Sequence, residues 1–240
     1  MPAVASTAGQ FGYGRSGVAQ SSIVQTGLLL YLDAGNSASY PGSGTTWTDL
    51  SPNANNATSL TGVSYSSANG GYLTFNGTTG SGSLVANKYN TTYTGKTVFI
   101  AGNITDISGA TYRAAIGASA GSRNFNFYFY SPSTGTYALH FSSGGSGGIS
   151  TNITYTPGTW FTAGCTQKLD GTLIFYFNGQ QVSTTSSTFV QYQSGSTEHV
   201  GRADNFWYGP LPVICAYSAT LTPAQMLTNH NAVRSRYGLS

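Results

Sequence analysis

Carboxylate side chains are scarce in this sequence and stand apart from one another. Of 240 residues only six are acidic, one glutamate (Glu198) and five aspartates that are scattered singly. A retaining or inverting glycosidase needs two carboxyl groups that face each other across a sugar. The glutamate and Asp204 are six residues apart across a turn at Gly201, a spacing more typical of a strand end followed by a loop aspartate. We therefore predict that the protein is not an enzyme and that it has no catalytic residue.

The other residue types that perform chemistry are equally sparse. The three histidines, His140, His199 and His230, are far apart, and none has the spacing of metal ligands. The sequence has no G-x-S-x-G, P-loop or C-x-x-C motif. The two cysteines, Cys165 and Cys215, lie in apolar or alternating runs, which indicates buried thiols on core strands. A disulfide between them is the alternative.

Aromatic rings next to amides and charges are the features best suited to a ligand. Residues 124–130 alternate strictly, so phenylalanines share one face of a strand and Asn126, Tyr128 and Tyr130 share the other. A second aromatic run, Asn205-Phe206-Trp207-Tyr208, follows Arg202 and Asp204. Rings stack on the C–H faces of pyranoses, while amides and carboxylates hold hydroxyl groups.

These two segments predict a glycan-binding site. Its candidate residues are Asn126, Tyr128, Tyr130, Arg202, Asp204, Asn205, Trp207 and Tyr208. The alternative is that the rings line the core or cover the sheets, as most tyrosines in β-sandwiches do.

Charge is low throughout the chain. Asp, Glu, Lys and Arg make up 6% of the residues, whereas an ordinary soluble domain has about 25%. With nine Lys and Arg in all, no basic patch predicts nucleic-acid binding. No apolar run reaches the length of about 20 residues that a membrane helix needs, and residues 1–20 lack the charged and apolar regions of a signal peptide. The 39% of apolar residues is nevertheless enough to build a core.

The first 26 residues differ from the rest because they are rich in Gly, Ala and Ser and have no period. We predict an extended arm over residues 1–26. Phe11, Tyr13 and Arg15 are its candidate assembly contacts, which would dock on a neighbouring subunit or partner. The alternative is an arm that folds back on its own domain.

From residue 27 on, apolar or alternating segments separated by turn residues predict short strands. The clearest lie at residues 28–32, 72–75, 97–101, 124–130, 137–141, 160–167, 172–177 and 180–184. Asp170-Gly171 and Asn178-Gly179 favour tight hairpins between the last three, which predicts a meander.

One short helix is predicted near the C-terminus, over residues 222–237. Thr222 is a suitable N-cap, Pro223 suits the first helical position, and Gln225 completes a capping box. A stripe of side chains at helical spacing is expected to be buried: Met226, His230, Val233 and Tyr237.

Three segments resemble a known family. Residues 158–185, GTWFTAGCTQKLDGTLIFYFNGQQVSTT, resemble the W…DG…L-x-x-Y-x-NG pattern of laminin-G-like, concanavalin A-like jelly rolls, and residues 199–226 are similar to that family's closing segment. Residues 28–59 resemble the first strand and tryptophan loop of the versions in virion proteins of tailed bacteriophages. The resemblance implies an all-β, concanavalin A-like jelly-roll sandwich of two antiparallel sheets over residues 27–240.

The family's sandwiches often receive sugar on a concave surface and sometimes hold a calcium ion near the rim. The resemblance makes Asp33, Asp49 and Asn55 weak calcium candidates. The family's glycine-rich loop appears here as LSPNANNAT, without its glycines, so we predict no cofactor. The E-x-D-x-x-E strand of the glucanase branch cannot occur with one glutamate.

The resemblance leads to two hypotheses of function. The first is a non-enzymatic phage virion protein, foremost a capsid decoration or cement protein and otherwise a neck or tail appendage, assembled in the host cytoplasm. It would bind the major capsid protein or other virion proteins, as a homo-oligomer or on the lattice. The alternative is a carbohydrate-binding adhesion module that recognises host polysaccharide.

Overall fold

Antiparallel strands dominate the protein. The computed structural model describes residues 22–84, 89, 91–105, 111–118, 124–133, 135–144, 146–191 and 197–240. The strands are β1 (Leu28–Asp33), β2 (Thr58–Thr61), β3 (Val63–Ser66), β4 (Tyr72–Asn76), β5 (Ser81–Ser83), β6 (Lys96–Asn103), β7 (Thr111–Gly117), β8 (Asn126–Ser133), β9 (Thr136–Ser143), β10 (Ser146–Ile149), β11 (Trp160–Gln167), β12 (Thr172–Phe177), β13 (Gln180–Ser186), β14 (His199–Val200), β15 (Tyr208–Leu211) and β16 (Val213–Tyr217). Helix α1 spans Pro223–Val233, and 3₁₀ turns occupy Ala68–Gly70 and Arg234–Tyr237.

The described strands form two large sheets and a small one. The first large sheet has the order β1-β16-β6-β11-β12-β13, and the second has the order β10-β9-β8-β7-β14-β5-β2. The small sheet has the order β15-β4-β3. Phenylalanines and aliphatic side chains from both large sheets form one buried core between them, Phe127 and Phe129 of β8 facing Phe161 and Phe175 of β11 and β12. The predicted all-β sandwich of antiparallel sheets is confirmed, and the small sheet was not predicted.

Helix α1 covers the outer face of the six-stranded sheet. The predicted stripe is buried, with Met226 and Val233 in the same cluster as Phe99 and Tyr217 of that sheet. The capping box is present: Thr222 Oγ1 accepts from the backbone N–H of residue 225, and the side-chain oxygen of that residue accepts from the backbone N–H of Thr222. The α-helix ends four residues before the predicted end because its last turn tightens into a 3₁₀ turn.

The end of the predicted arm lies on its own domain. Ile23 is buried in the cluster beneath α1, and the backbone N–H of Val24 donates to Asn229 Oδ1 at 2.9 Å. Residues 22–26 therefore fold back on the sandwich. Phe11, Tyr13 and Arg15, the predicted assembly contacts, lie outside the described residues.

The two cysteines are buried free thiols, as predicted, and the alternative of a disulfide is wrong. Cys165 on β11 faces the core between the sheets, whereas Cys215 on β16 faces the helix. Strand β6 lies between their two strands. Burial raises the pKa of both thiols, so they stay protonated at neutral pH.

Two charged side chains are buried near one end of the sandwich core. Lys96 Nζ donates to Ser143 Oγ at 2.6 Å and lies 4.6 Å from the centroid of the Tyr93 ring. Glu198 Oε1 accepts from the backbone N–H groups of Asn124 and Phe125, at 2.9 and 3.3 Å. Burial raises the pKa of Glu198 to about 7, although the two backbone hydrogen bonds act to lower it. Burial lowers the pKa of Lys96 to about 8.

The buried glutamate makes the free energy of unfolding depend on pH. The pKa of Glu198 is about 7 in the folded protein and about 4.5 in a solvated chain, so the folded state holds the proton over this interval. The protonated Glu198 side chain therefore makes its full contribution to the free energy of unfolding below pH 4.5. This contribution is lost as the pH rises through 7. In the Glu198→Gln variant we expect this fall to disappear from urea denaturation curves recorded between pH 4.5 and 7.5. The exposed Asp170→Asn variant should keep it, and an unchanged pH dependence in Glu198→Gln would contradict the assignment.

Candidate functional site

The outer face of the seven-stranded sheet carries four aromatic rings from three neighbouring strands. In the strand register Tyr112 of β7 lies opposite Tyr130 of β8, and Tyr128 of β8 lies opposite His140 of β9. Because side chains alternate along a strand and the intervening phenylalanines of β8 face the core, these four rings point away from it. We refer to Tyr112, Tyr128, Tyr130 and His140 as the tyrosine cluster.

The rings of the tyrosine cluster pack against one another. Tyr112 and Tyr130 stack with centroids 4.3 Å apart, and Tyr128 stacks on His140 at 5.4 Å. Tyr112 also meets Tyr128 edge-on at 5.3 Å. Aromatic pairs of this kind contribute about 0.5–1.5 kcal/mol each beyond the burial of their surface. Each ring is therefore held in place by its neighbours before any ligand arrives.

Asn126 supports the cluster from below. Its Oδ1 accepts from the backbone N–H of Ala118 at 2.8 Å, and its Nδ2 donates to the hydroxyl of Tyr128 at 2.8 Å and to the Ala118 carbonyl at 3.2 Å. The side chain is fully buried. The prediction that Asn126 contacts a glycan is therefore corrected: it lies on the expected face of β8, but its amide is used to position Tyr128.

A tight hairpin formed by residues 201–207 lies over this face. It is closed by the backbone N–H of Trp207, which donates to the Gly201 carbonyl at 2.8 Å, and it is tied to β7 by the Gly201 N–H, which donates to the Ala115 carbonyl at 2.8 Å. Gly201 has a φ of +70°, a left-handed conformation that favours glycine. Ala203 is buried against Ala114 and Tyr128. The hairpin thus packs on the tyrosine cluster through Ala203, and the two residues at its tip, Asp204 and Asn205, are exposed.

A pocket of 220 Å³ opens between the cluster and the hairpin. Its lining is Tyr112, Tyr128, His140, Asp204 and Asn205. Pockets for drug-sized ligands measure about 300–1,000 Å³, so this one has room for a single small ring. We call it the tyrosine pocket. Three of the predicted site residues, Tyr128, Asp204 and Asn205, are brought together here from segments more than 70 residues apart.

The other predicted residues lie elsewhere. Trp207 has 0% exposure, and its Nε1 donates to the Pro210 carbonyl at 3.2 Å, so it anchors the hairpin in the core and offers no surface to a ligand. Arg202 lies over the Phe206 ring at 5.3 Å, outside the pocket lining. Tyr208 begins β15 in the small sheet, and Tyr130 stands behind Tyr112; neither lines the pocket.

Two lining residues were missed by the sequence analysis. Tyr112 lies on β7, for which no strand was predicted, because a bulge between Ala114 and Ile116 breaks the alternation. His140 lies within a predicted strand, between the inward-facing Leu139 and Phe141. Its outward position follows from alternation alone, but its place opposite Tyr128 depends on a register that the sequence does not reveal.

The first calcium candidate, Asp33, is engaged by an ion pair. Its two carboxylate oxygens accept from Arg236 Nη1 and Nη2 at 2.8 and 3.1 Å, a bidentate geometry. The hydroxyl of Tyr31 donates to the same carboxylate at 3.0 Å. Burial and the Asp33 charge raise the pKa of the Tyr31 hydroxyl, which keeps it a donor.

The second candidate, Asp49, completes the open edge of β1. Its Oδ1 accepts from the backbone N–H groups of Tyr31 and Ser51 at 2.8 and 2.9 Å. Its Oδ2 accepts from Ser51 Oγ at 2.7 Å and from the backbone N–H of Asn55 at 2.8 Å. The carboxylate therefore takes the place of a neighbouring strand at this point of the edge. Asn55 meets Asp49 through its backbone N–H, so protein groups already engage the two carboxylates, and the calcium assignment of these three residues stays a prediction.

Across the described ranges, no three His, Cys, Asp or Glu side chains gather as a metal site would require. In the same part of the chain, no helix has the length and apolar character needed to cross a membrane.

The Asp49 contacts predict a stabilising role that does not involve calcium. In Asp49→Ala the buried N–H groups of Ser51 and Asn55 lose their acceptor, which should lower the free energy of unfolding by about 2–4 kcal/mol. Urea denaturation measures this loss, with Asp170→Asn, an exposed turn aspartate, as the control. Calcium at millimolar concentration should leave the Tm of the unaltered protein where EDTA leaves it. A Tm that rises with calcium would refute this account.

Comparisons with known proteins bear on the fold alone. No protein-family model matches the sequence, and no curated protein matches it. Solved structures are similar: domain 4 of an extracellular arabinanase from Geobacillus stearothermophilus, in complex with arabinotriose, has a TM-score of 0.62 and 15% identity over 87% of this chain and 100% of that one. This chain has the same kind of jelly-roll-like β-sandwich fold.

Two further structures show the same likeness. The binding domain of botulinum neurotoxin DC, in complex with SialylT, has a TM-score of 0.63 and 13% identity over 88% of this chain and 52% of that one. Trypanosoma rangeli sialidase has a TM-score of 0.62 and 14% identity, with 87% of this chain and 33% of the sialidase covered. The sandwich thus spans about a third of the sialidase and half of the toxin domain. The fold is compatible with the concanavalin A-like architecture, and the likeness does not support the phage resemblance.

Proposed function

We propose that the protein is a carbohydrate-binding domain without catalytic activity, which holds one sugar residue in the tyrosine pocket. The observation that carries the proposal is the convergence of aromatic rings with Asp204 and Asn205 in one cavity of 220 Å³. Rings and hydroxyl-binding groups on adjacent walls are what a pyranose requires, because it has an apolar C–H face and a polar rim.

The lining residues have distinct parts in this proposal. Tyr112 and His140 are half-buried and offer ring surface to the C–H face of the sugar. Tyr128, with 3% exposure, contributes little more than its edge and mainly supports the other two rings. Asp204 and Asn205 are exposed at the hairpin tip, where a carboxylate and an amide accept from and donate to sugar hydroxyls.

The structural comparisons support the proposal at the level of the fold. The arabinanase domain is in complex with arabinotriose, and the toxin domain is in complex with SialylT. At a sequence identity of 13–15%, the ligand-binding residues of those domains cannot be assigned to positions in this chain. The tyrosine pocket is therefore argued from its own geometry.

The distribution of carboxylates favours binding over hydrolysis. Among the described residues that line the pocket, Asp204 supplies the one carboxylate, whereas glycoside hydrolysis needs two across the scissile bond. Glu198 is buried and bonded to the backbone, and Asp33 and Asp49 are engaged at β1. These groups hold the fold together, and none of them is among the described residues that line the tyrosine pocket.

The capsid decoration role stays a prediction, as does the virion location. Its proposed contacts, Phe11, Tyr13 and Arg15, lie outside the described residues, and its proposed partners are virion proteins. The two functions are compatible, because a protein that decorates a particle and binds polysaccharide would attach that particle to a host surface.

Glycan binding is tested with a glycan array followed by calorimetric titration of the best ligand. Tyr112→Ala and Asn205→Ala should each weaken binding roughly five- to tenfold, the loss of one ring or polar contact of ~1 kcal/mol. The control Tyr72→Ala removes a half-buried tyrosine that packs on Trp160, outside the pocket, and should bind as the unaltered protein does. Thermal unfolding checks that each variant is folded. An array without binding at millimolar ligand, or equal losses in all three variants, would refute the proposal.

A further inference from the structure

A second pocket lies on the other side of the sandwich, beside the edge strand β1 and the end of helix α1. Its volume is about 510 Å³, within the range of about 300–1,000 Å³ for pockets that hold drug-sized ligands. Because the tyrosine pocket has 220 Å³ and room for one ring, this pocket has room for two. We call it the ion-pair pocket. Buried or half-buried residues form its floor and exposed ones its rim: Tyr31, Asp33 and Arg236, then Gln25, Asn36 and Ser37.

The carboxylate at the floor is fully engaged by the protein. Asp33 Oδ1 accepts from Arg236 Nη1 at 2.8 Å and from the backbone N–H of Gly35 at 2.9 Å. Asp33 Oδ2 accepts from Arg236 Nη2 at 3.1 Å and from the Tyr31 hydroxyl at 3.0 Å. A carboxylate has about four lone-pair positions, and these four bonds use all of them. Asp33 therefore positions the other two floor side chains and has no acceptor left for a ligand.

Arg236 and Tyr31 keep polar groups that a ligand is able to use. Among the described residues, the bonds to Asp33 use two of the five N–H groups of the guanidinium, and Nε is buried, so further Nη hydrogens remain to donate. The Tyr31 hydroxyl donates its proton to Asp33 and keeps its lone pairs as acceptors. Its half-buried ring adds an apolar surface. The floor thus presents donors, an acceptor and a ring side by side, as a sugar requires.

Two amide side chains stand at the rim in orientations that their own hydrogen bonds define. Gln25 Nε2 donates to the Ile23 carbonyl at 2.7 Å, which leaves Gln25 Oε1 as an acceptor. Asn36 Oδ1 accepts from the backbone N–H of Ala38 at 2.9 Å, which leaves Asn36 Nδ2 as a donor. Ile23 is buried beneath α1, so the Gln25 side of the rim is anchored in the fold.

The two charges at the floor compensate each other. Asp33 and Arg236 are the charged residues of the described lining, and their side chains are 2.8 Å apart. A charged ligand that approaches one partner is repelled by the other at nearly the same distance. A hydroxyl group needs no net charge opposite it, because it both donates and accepts. The pocket therefore suits a neutral ligand with several hydroxyl groups.

We propose that the ion-pair pocket is a second binding site, which takes a neutral sugar of about two residues. The hydroxyl groups of the sugar accept from Arg236 Nη and Asn36 Nδ2 and donate to the Tyr31 hydroxyl oxygen and Gln25 Oε1. The site shares no lining residue with the tyrosine pocket among those that the structure describes. It goes beyond the proposed function and is tested separately from it.

The test is an NMR titration of the ¹⁵N-labelled protein with cellobiose, lactose and maltose, and with digalacturonic acid as the charged comparison. We expect at least one neutral disaccharide at millimolar concentration to shift the backbone amide signals of residues 35–37, since the Gly35 N–H donates to Asp33. Its affinity should change less than about twofold between 0.1 and 1 M salt, because the paired charges leave little net charge to screen.

Two rim variants test the assignment without removing the ion pair. Gln25→Ala deletes one acceptor and should weaken binding roughly two- to tenfold, the loss of one hydrogen bond. Ser37→Trp places a large ring at the entrance and should abolish binding. The matched control is Gln181→Ala, an exposed glutamine of β13 at the opposite edge of the same sheet, whose Nε2 donates to Thr184 Oγ1 at 3.2 Å. It should bind as the unaltered protein does, and thermal unfolding checks that every variant is folded.

The signals that move separate this site from the tyrosine pocket. If no neutral disaccharide shifts the amides of residues 35–37, or if Gln181→Ala loses as much affinity as Gln25→Ala, the second site is wrong. The ligand class is wrong if digalacturonic acid binds more tightly than every neutral sugar. Shifts confined to the amides of Tyr112 and Asn205 support the proposed function and overturn the second site. Shifts confined to residues 35–37 support the second site and count against the tyrosine pocket.

Discussion

Strand β8 has one face in the core between the sheets and the other in the tyrosine cluster. The positions of both sets of side chains depend on the alternation along this one strand. Its phenylalanines enter the core between the sheets, where they pack against β11 and β12, and this fixes the orientation of the intervening residues. Tyr128 and Tyr130 are thereby directed to the outer face without any freedom to turn. The geometry of the tyrosine cluster is thus a consequence of core packing, and the stability of the sandwich maintains the arrangement of the pocket.

The low charge of the chain explains how the sandwich satisfies its polar groups. An edge strand is commonly protected by lysines that repel other strands. Here the open edge of β1 is completed by side chains of the following loop: Asp49 and Ser39 accept from its backbone N–H groups, while Asn53 donates to its carbonyls. Asn126 and Glu198 do the same for other backbone groups inside the molecule. Two of the residues that resemble ligand sites in the sequence, Asp49 and Asn126, are used in this way.

The sequence was informative wherever a feature is local. The alternation of β8, the capping box of Thr222 and Gln225, and the two hairpin turns after β11 and β12 were all predicted from neighbouring residues. These features follow from periods of two or 3.6 residues and from turn chemistry. The all-β sandwich could be predicted from them together with the family resemblance.

The features that the sequence did not reveal depend on distant contacts. Asp33 and Arg236 pair across 203 positions, and no local pattern marks either as the partner of the other. Trp207 looked like an exposed ring in an aromatic run, but its indole enters the core where the hairpin meets β15. The candidate site was therefore predicted in part. Strand β8 and the hairpin tip were recognised from the sequence, but Tyr112 of β7 was not, because a bulge interrupts the alternation of that strand.

The placement of the two thiols has a consequence for where such a domain is able to work. Cys165 and Cys215 face opposite sides of one sheet with β6 between them, and burial holds both in the unreactive protonated form. An oxidant therefore cannot join these two thiols within the folded sandwich, and there is no disulfide between them for a reductant to break. The stability of the sandwich, drawn from packing and hydrogen bonds, is therefore indifferent to the redox potential of its surroundings.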